Sequence, residues 1–159
     1  MEFNKNMFLR KFLLIAILLI LNENYAYAET RSSTADFQKA LSYSINSLKK
    51  TDDYLSALTN KEKNFEILLQ TVSLCEYEYK NLKLILDKNV VREKESRVCV
   101  FSAVIILQER HLALSYMKDS VYSKAEGNNS SYDYYLNESL KYIKSADELR
   151  RKFKNTYGY

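Results

Sequence analysis

Residues 98–107 read VCVFSAVIIL and decide the fold, because they are apolar on nearly every side when placed on a helix. A helix that is apolar all round is usually buried on several sides, or it docks a partner. Ten residues of helix measure about 15 Å, half of a ~30 Å hydrocarbon core, so this run is too short to span a membrane. The chain has two glycines and no proline, which is untypical of a turn-rich β fold. We therefore predict a buried helix over residues 90–125.

A second apolar stripe at helical spacing precedes this central helix. Thr59 and Glu62 have the spacing of a capping box, which indicates that the helix begins there. The stripe continues to residue 87, and residues 88–89 (Lys-Asn) are the one break signal before the central helix. The pattern predicts a hairpin of two helices that turns near residue 88.

Two outer helices complete the pattern. The first is predicted over residues 34–58, with a kink or break at 51–53 because Asp52 lies in its apolar stripe. The last follows the polar loop 127–131, and its apolar stripe extends to Phe153. Its C-terminal cations suit the negative end of a helix dipole.

Four amphipathic helices joined by short loops predict an all-α fold, an antiparallel up-and-down four-helix bundle in which the third helix is the most buried. Two alternatives stay open. A helix continuous through residues 88–89 would favour a dimeric coiled assembly. A helical solenoid is suggested by the similar tetrapeptides at 40–43, 113–116 and 139–142, although their spacings of 73 and 26 residues give no fixed period.

The N-terminal residues 1–28 have the order of a secretory signal peptide. Three basic residues precede the apolar run 12–21, and the small-residue site AYA occupies positions 26–28. We predict cleavage between Ala28 and Glu29, leaving one helical domain over 29–159 in a periplasm or outside the cell. The leader carries three basic and two acidic residues, so its removal would change the net charge from +4 to +3.

The two cysteines are candidates for a disulfide, because an exported chain meets an oxidising compartment. In a hairpin turning near residue 88, residues at equal height have numbers that sum to about 176. Cys75 and Cys99 sum to 174, which predicts that they lie side by side and form a bridge. The alternative is a pair of buried thiols, which are common in helical cores.

The sequence contains few residues in a spacing that suits catalysis, metal binding or cofactor binding. His111 is the one histidine, and it lies twelve residues from Cys99 on the same helix, a distance of about 18 Å. In the predicted hairpin Cys75 lies near the height of residue 101, about 15 Å from His111 along the helix axis. A Cys–His nucleophile pair or a shared metal requires direct contact, so we expect neither to form. The di-iron motif Glu-x-x-His, the haem motif Cys-x-x-Cys-His and glycine-rich phosphate loops are all absent from the sequence. We predict no catalytic residue, no metal site and no cofactor.

Two features could carry binding. Tyr132, Tyr134 and Tyr135 follow the polar loop, and tyrosine is enriched at protein interfaces. A basic group ends the last helix: Arg150, Arg151, Lys152 and Lys154. The alternatives are a chain that is rich in tyrosine throughout and a solvated helix end. Aromatic residues are not interleaved with these cations in a nucleic-acid motif, so no nucleic acid is indicated.

These observations favour an exported, non-enzymatic helical protein that binds another protein or macromolecule outside the cytoplasm, without a permanent membrane span. The competing class is a small-ligand carrier or small enzyme with a site inside the helical bundle. Charged side chains converging on a pocket between helices would favour that class. Self-association through the central helix is a third possibility.

Overall fold

The computed structural model describes residues 35–60 and 65–158, and every regular element in that part of the chain is a helix. The four helices are α1 (Ala35–Asn60), α2 (Phe65–Asp87), α3 (Lys94–Ala125) and α4 (Asn129–Tyr157). The predicted all-α helical bundle is confirmed. The predicted signal peptide and its cleavage site lie outside the described residues.

The central helix α3 organises the core. Fourteen of its 32 residues are buried, and it packs against α1, α2 and α4. Val100, Ile106 and Leu107 are at most 1% exposed, and they belong to one core cluster with the buried Leu48 of α1 and Leu82 of α2. The prediction that the third helix is the most buried is confirmed. The reason is that apolar side chains lie on nearly all sides of the helix at 98–107.

Helix α3 also meets the length and composition of a membrane-crossing helix, and among the described helices it alone does so. Most of the apolar window that meets this criterion is buried inside the bundle. That burial is the pattern of a core helix, whose apolar residues are covered by neighbouring helices.

Helix α1 differs from the prediction at two places. It is continuous through Thr51 and Asp52, where a kink or break was predicted. Thr51 donates its hydroxyl proton to the Leu48 carbonyl at 2.9 Å, and Asp52 accepts from arginines of two other helices, so both polar side chains are satisfied without breaking the helix. The helix also runs to Asn60 and therefore through Thr59, which rules out Thr59 as the N-cap of α2.

Six residues separate α2 from α3, so the alternative of one continuous long helix is wrong. Asn89 has a left-handed φ of 51°, which ends α2, and Val91 of this turn is fully buried. Arg97 holds the turn by donating to the Leu86 carbonyl at 3.2 Å and to Asn89 Oδ1 at 2.8 Å. Asp36 of α1 accepts from the backbone N–H groups of residues 92 and 93, both at 2.9 Å, and these hydrogen bonds lower the pKa of its carboxyl group.

The predicted disulfide is wrong, because Cys75 and Cys99 are both buried thiols. Facing residues of α2 and α3 have numbers that sum to 183, as the contacts of His111 with Val72 and of Arg97 with residue 86 show. The cysteine numbers sum to 174, so the two residues are nine positions out of register, about 13 Å along the helix axes. The same register places Cys75 opposite residue 108, about 4.5 Å from His111 along the axis, so the predicted separation of about 15 Å between Cys75 and His111 is wrong. Cys75 packs in a small cluster with Leu68 and Leu114, whereas Cys99 lies in the main core.

The α3–α4 connection is shorter than the predicted loop 127–131. Gly127 has a φ of 74°, a left-handed conformation that glycine adopts without steric cost. The Asn128 side chain then caps α4 by accepting from the Ser131 backbone N–H at 3.1 Å. Because the cap is Asn128, the helix includes residues that the polar composition assigned to the loop.

Candidate functional site

An ionic layer, formed by Asp52, Arg110 and Arg150, joins α1, α3 and α4. Asp52 accepts hydrogen bonds from Arg110 on one oxygen and from Arg150 on the other, the latter at 2.7 Å. The Arg110 side chain is 5% exposed, and it also donates to Thr51 Oγ1 and to the Leu48 carbonyl. One carboxylate from the first helix therefore joins guanidinium groups from the third and fourth helices.

A fully enclosed carboxylate lies on α2. Glu78 is 2% exposed, and it accepts from Ser47 at 2.6 Å and from Lys50 at 2.8 Å. Both partners come from α1, so this cluster fixes the α1–α2 pair. Burying a charge without such partners would be costly. Both Glu78 oxygens and both Asp52 oxygens have partners, while Arg110 Nε is buried without a hydrogen bond to a described residue.

The thiol nearest these charges is not a nucleophile. Burial raises the pKa of the Cys75 thiol to about 12, and the charges of Arg110, Asp52 and Glu78 change it less. A thiol with this pKa stays protonated at neutral pH, whereas the thiolate is the reactive form. The charged side chains between the helices therefore hold the helices together and do not surround an activated group.

Two grooves lie on the outer surface of the part of the chain that the structure describes. One, of about 400 Å³, lies beside the α2–α3 turn and includes Arg97 and Phe101. The other, of about 470 Å³, lies between α1 and α2 and includes Tyr54 and Leu74. The residues that line these two grooves include none of the ionic layer. The described residues also contain no group of three or more His, Cys, Asp or Glu side chains placed to hold a metal ion.

Four tyrosines of α3 and α4 form a continuous aromatic cluster, here termed the tyrosine surface: Tyr116, Tyr134, Tyr135 and Tyr142. Tyr116 stacks on Tyr142, with ring centroids 5.5 Å apart and an interplanar angle of 11°. It also stacks on Tyr135 at 6.2 Å. Tyr134 meets the edge of Tyr135 at 5.3 Å and is 47% exposed. Each ring is therefore held by another ring while the outermost one faces solvent.

Charged groups border the tyrosine surface. Lys141 pairs with Glu138 one turn away, and the hydrogen bond and charge of Glu138 raise the pKa of the lysine. Further along, Lys124 lies over the ring of Tyr132, 5.3 Å from its centroid. An apolar aromatic centre with polar groups around it is the usual organisation of a protein-binding surface.

The predicted interaction residues do not form one site. Tyr134 and Tyr135 belong to the tyrosine surface, while Tyr132 pairs with Lys124. Arg150 lies about 22 Å further along α4, at 1.5 Å per residue, so it does not belong to the tyrosine surface. Its side chain is 15% exposed because it binds Asp52 in the ionic layer. Of the remaining predicted cations, Arg151 and Lys154 are exposed and Lys152 is half-buried.

Sequence reasoning missed Tyr116 and Tyr142 as members of this surface. Each is the last residue of one of the similar tetrapeptides, ALSY at 113–116 and SLKY at 139–142. Each tetrapeptide begins with a small residue that is buried in the structure, Ala113 in one and Ser139 in the other. The resemblance reflects a shared packing pattern, a small buried residue three positions before a partly exposed tyrosine, and not a structural repeat.

Comparison with known proteins found no matching protein-family model, no matching curated protein and no matching solved structure.

Proposed function

We propose that this chain is an exported, non-enzymatic binding protein whose tyrosine surface docks a protein partner outside the cytoplasm. In this proposal residues 1–28 are the signal peptide, removed between Ala28 and Glu29. Residues 29–159 are the mature domain, an antiparallel up-and-down four-helix bundle. The stacked cluster of Tyr116, Tyr134, Tyr135 and Tyr142 is the observation that carries the proposal.

Stacked tyrosines are well suited to binding because little conformational freedom remains to be lost. A tyrosine side chain has only two principal rotatable bonds, and here neighbouring rings already restrict them. The ring provides apolar contact area, and the hydroxyl group can donate or accept a hydrogen bond. Tyrosine is accordingly enriched among the residues that contribute most to binding energy.

The interior gives the competing class, a carrier or enzyme inside the bundle, less support. Charged side chains do converge between the helices, as that class requires. However, Arg110 and Arg150 both bind Asp52 directly, and the two surface grooves lie elsewhere. The high pKa of Cys75 also leaves the nearest thiol protonated. The groups that could have bound a ligand serve as contacts between helices.

The test uses two tyrosines of similar exposure. A photo-crosslinking amino acid is placed at position 134 in one variant and at 77 in another, since Tyr77 is 60% exposed on α2 and does not belong to the tyrosine surface. Each variant is produced in the host and irradiated in the exported fraction. We expect one discrete adduct from position 134 and none from 77, on a chain that starts at Glu29.

The binding energy is then measured with the identified partner. Tyr134→Ala should weaken binding by about 1–2 kcal/mol, roughly 5- to 30-fold, whereas Tyr77→Ala should change it less than about twofold. Both side chains are exposed, so the thermal stability of both variants should match that of the parent chain. Equal adduct formation at the two positions would contradict the proposal. An adduct of twice the chain mass would identify the partner as a second copy.

A further inference from the structure

Three parts of the chain meet at one end of the bundle. Asp36, in the first turn of α1, accepts hydrogen bonds from the backbone of the α2–α3 turn at residues 92 and 93. The next residue, Phe37, packs against Tyr157 in the last turn of α4, with ring centroids 6.1 Å apart. We term this region, formed by residues 35–39, 87–97 and 151–158, the basic end.

The basic end carries the net positive charge of the protein. Its acidic residues are four: Asp36, Asp87, Glu93 and Glu95. Its basic residues are eight: Lys39, Lys88, Arg92, Lys94, Arg97, Arg151, Lys152 and Lys154. The difference of +4 equals the net charge of the whole chain, so the remaining residues are neutral on balance. Charge gathered at one end attracts an anionic partner to that end.

An apolar groove lies among these cations, beside the α2–α3 turn. Its volume is about 400 Å³, and three cations and three apolar side chains line it: Arg92, Lys94, Arg97, Leu86, Val98 and Phe101. Phe101 is 42% exposed although it belongs to the most buried helix of the bundle. An exposed aromatic ring among lysines and arginines is typical of surfaces that lie in the interface of a lipid bilayer.

The path of the chain leads to the same end. Ala35 begins α1 next to the residues that contact the α2–α3 turn, so the preceding part of the sequence joins the bundle here. That part includes the apolar run at 12–21. While the signal peptide is still attached, the first residues of the basic end are therefore the part of the bundle closest in sequence to the apolar run at 12–21.

We propose that the basic end docks on the surface of an anionic lipid bilayer, with its cations at the headgroups and Phe101 in the interfacial layer. A bilayer fits better than an acidic peptide, because the cations of this end come from three separate parts of the chain. Those of the α2–α3 turn share a groove with the exposed Phe101. This inference goes beyond the proposed protein-binding function. It uses a different surface, and either can fail without the other.

The experiment compares two charge variants of the full chain on vesicles. The test variant is Arg92→Gln/Lys94→Gln/Lys154→Gln, three exposed cations of the basic end. The control is Lys49→Gln/Lys80→Gln/Lys144→Gln, three exposed lysines outside it. Binding is measured on phosphatidylglycerol–phosphatidylcholine vesicles and on phosphatidylcholine vesicles, and the ratio of the two partition coefficients is reported. The leader contributes equally to every variant.

Each cation close to an anionic bilayer contributes about fivefold to partitioning. We therefore expect the test variant to lower the ratio by at least about tenfold, and the control by less than about threefold. Raising the salt concentration should reduce the ratio for the parent chain. Phe101→Gln should lower binding to anionic vesicles more than Leu140→Gln, which removes an exposed leucine outside the basic end.

Two results would overturn the proposal. In one, the test and control variants lower the ratio equally, which would make the effect one of total charge. In the other, the parent chain shows no preference for anionic vesicles but binds heparin through the same three cations, which would assign the basic end to an anionic polymer. Circular dichroism of each variant checks that the helices are retained, so loss of fold cannot imitate loss of binding.

Discussion

Removing the negative charge of Asp52 should destabilise the protein far more than removing that of its neighbour Asp53. Asp52→Asn keeps the size of the side chain but leaves the guanidinium of Arg110, which is 5% exposed, without its counter-charge. Breaking a buried ion pair by removing one partner costs about 3–5 kcal/mol. The Asp52 side chain is 33% exposed, so water compensates in part, and we expect a loss of about 2–3 kcal/mol.

The free energy of unfolding is measured by urea denaturation, with the far-ultraviolet circular dichroism of the helices as the signal. With an m value of about 2 kcal/mol/M, the midpoint for Asp52→Asn should fall by about 1–1.5 M. Asp53 is exposed, so Asp53→Asn should change the free energy of unfolding by less than about 0.5 kcal/mol. The control has the same chemical change one residue away on the same helix.

A double-mutant cycle with Arg110→Met separates the ion pair from other effects of substitution. If Asp52 and Arg110 interact as the structure shows, the two substitutions should be non-additive by at least about 1 kcal/mol. Additive effects within about 0.5 kcal/mol, or equal losses for Asp52→Asn and Asp53→Asn, would refute the reasoning.

Three other predictions concern the core, the thiol and the α2–α3 turn. Phe153→Ala removes a fully buried ring and should lower the free energy of unfolding by about 3–5 kcal/mol. Leu140→Ala, at a 53% exposed side chain, should lower it by less than about 1 kcal/mol, and a similar urea midpoint for the two variants would contradict the packing. Because Cys75 has a pKa of about 12, its alkylation in the native protein should stay slow through neutral and mildly alkaline pH and become fast in urea. Mass spectrometry measures the labelling, and rapid labelling of Cys75 in the native protein would be inconsistent with its burial. The folded-state pKa of Asp36 lies below its ordinary value of 3.8, so its contribution to stability is present above that pH and is lost as the pH falls through the folded pKa. Below about pH 4 the free energy of unfolding of Asp36→Asn should therefore decrease less steeply than that of the parent chain, whereas Asp87→Asn should behave like the parent. The measurement is the denaturation midpoint as a function of acidic pH, and identical profiles for the two variants would argue against the turn contacts.

The helices could be recognised from the sequence because helix formation depends on residues close together in the chain. The run at 98–107 and the apolar stripes around it have the helical period. Residues 35–60 and 65–158 form four helices, the third of which is the most buried. Their ends were less predictable. Thr59 has the pattern of an N-cap, yet α1 continues through it.

The partners of polar residues could not be recognised in the same way. Asp52 lies in the apolar stripe of α1, and the sequence suggests a break there because the helix alone offers no partner. The structure provides Arg110 and Arg150 from positions about 60 and 100 residues further along. The contact with Asp52 leaves the Arg150 side chain 15% exposed, whereas the sequence groups this residue with the solvent-facing C-terminal cations.

The sequence by itself determined which segments are helical, which helix is central, and that His111 is too far from Cys99 along the helix for joint chemistry. Only the tertiary structure decided the register of α2 against α3, the separation of Cys75 from Cys99, and the stacking of Tyr116 with Tyr142. The physical reason is the length of the connections. Each residue added to a helix advances it by about 1.5 Å and rotates it by about 100°, so a turn centred a few residues later changes every contact between two helices while leaving each helix unchanged.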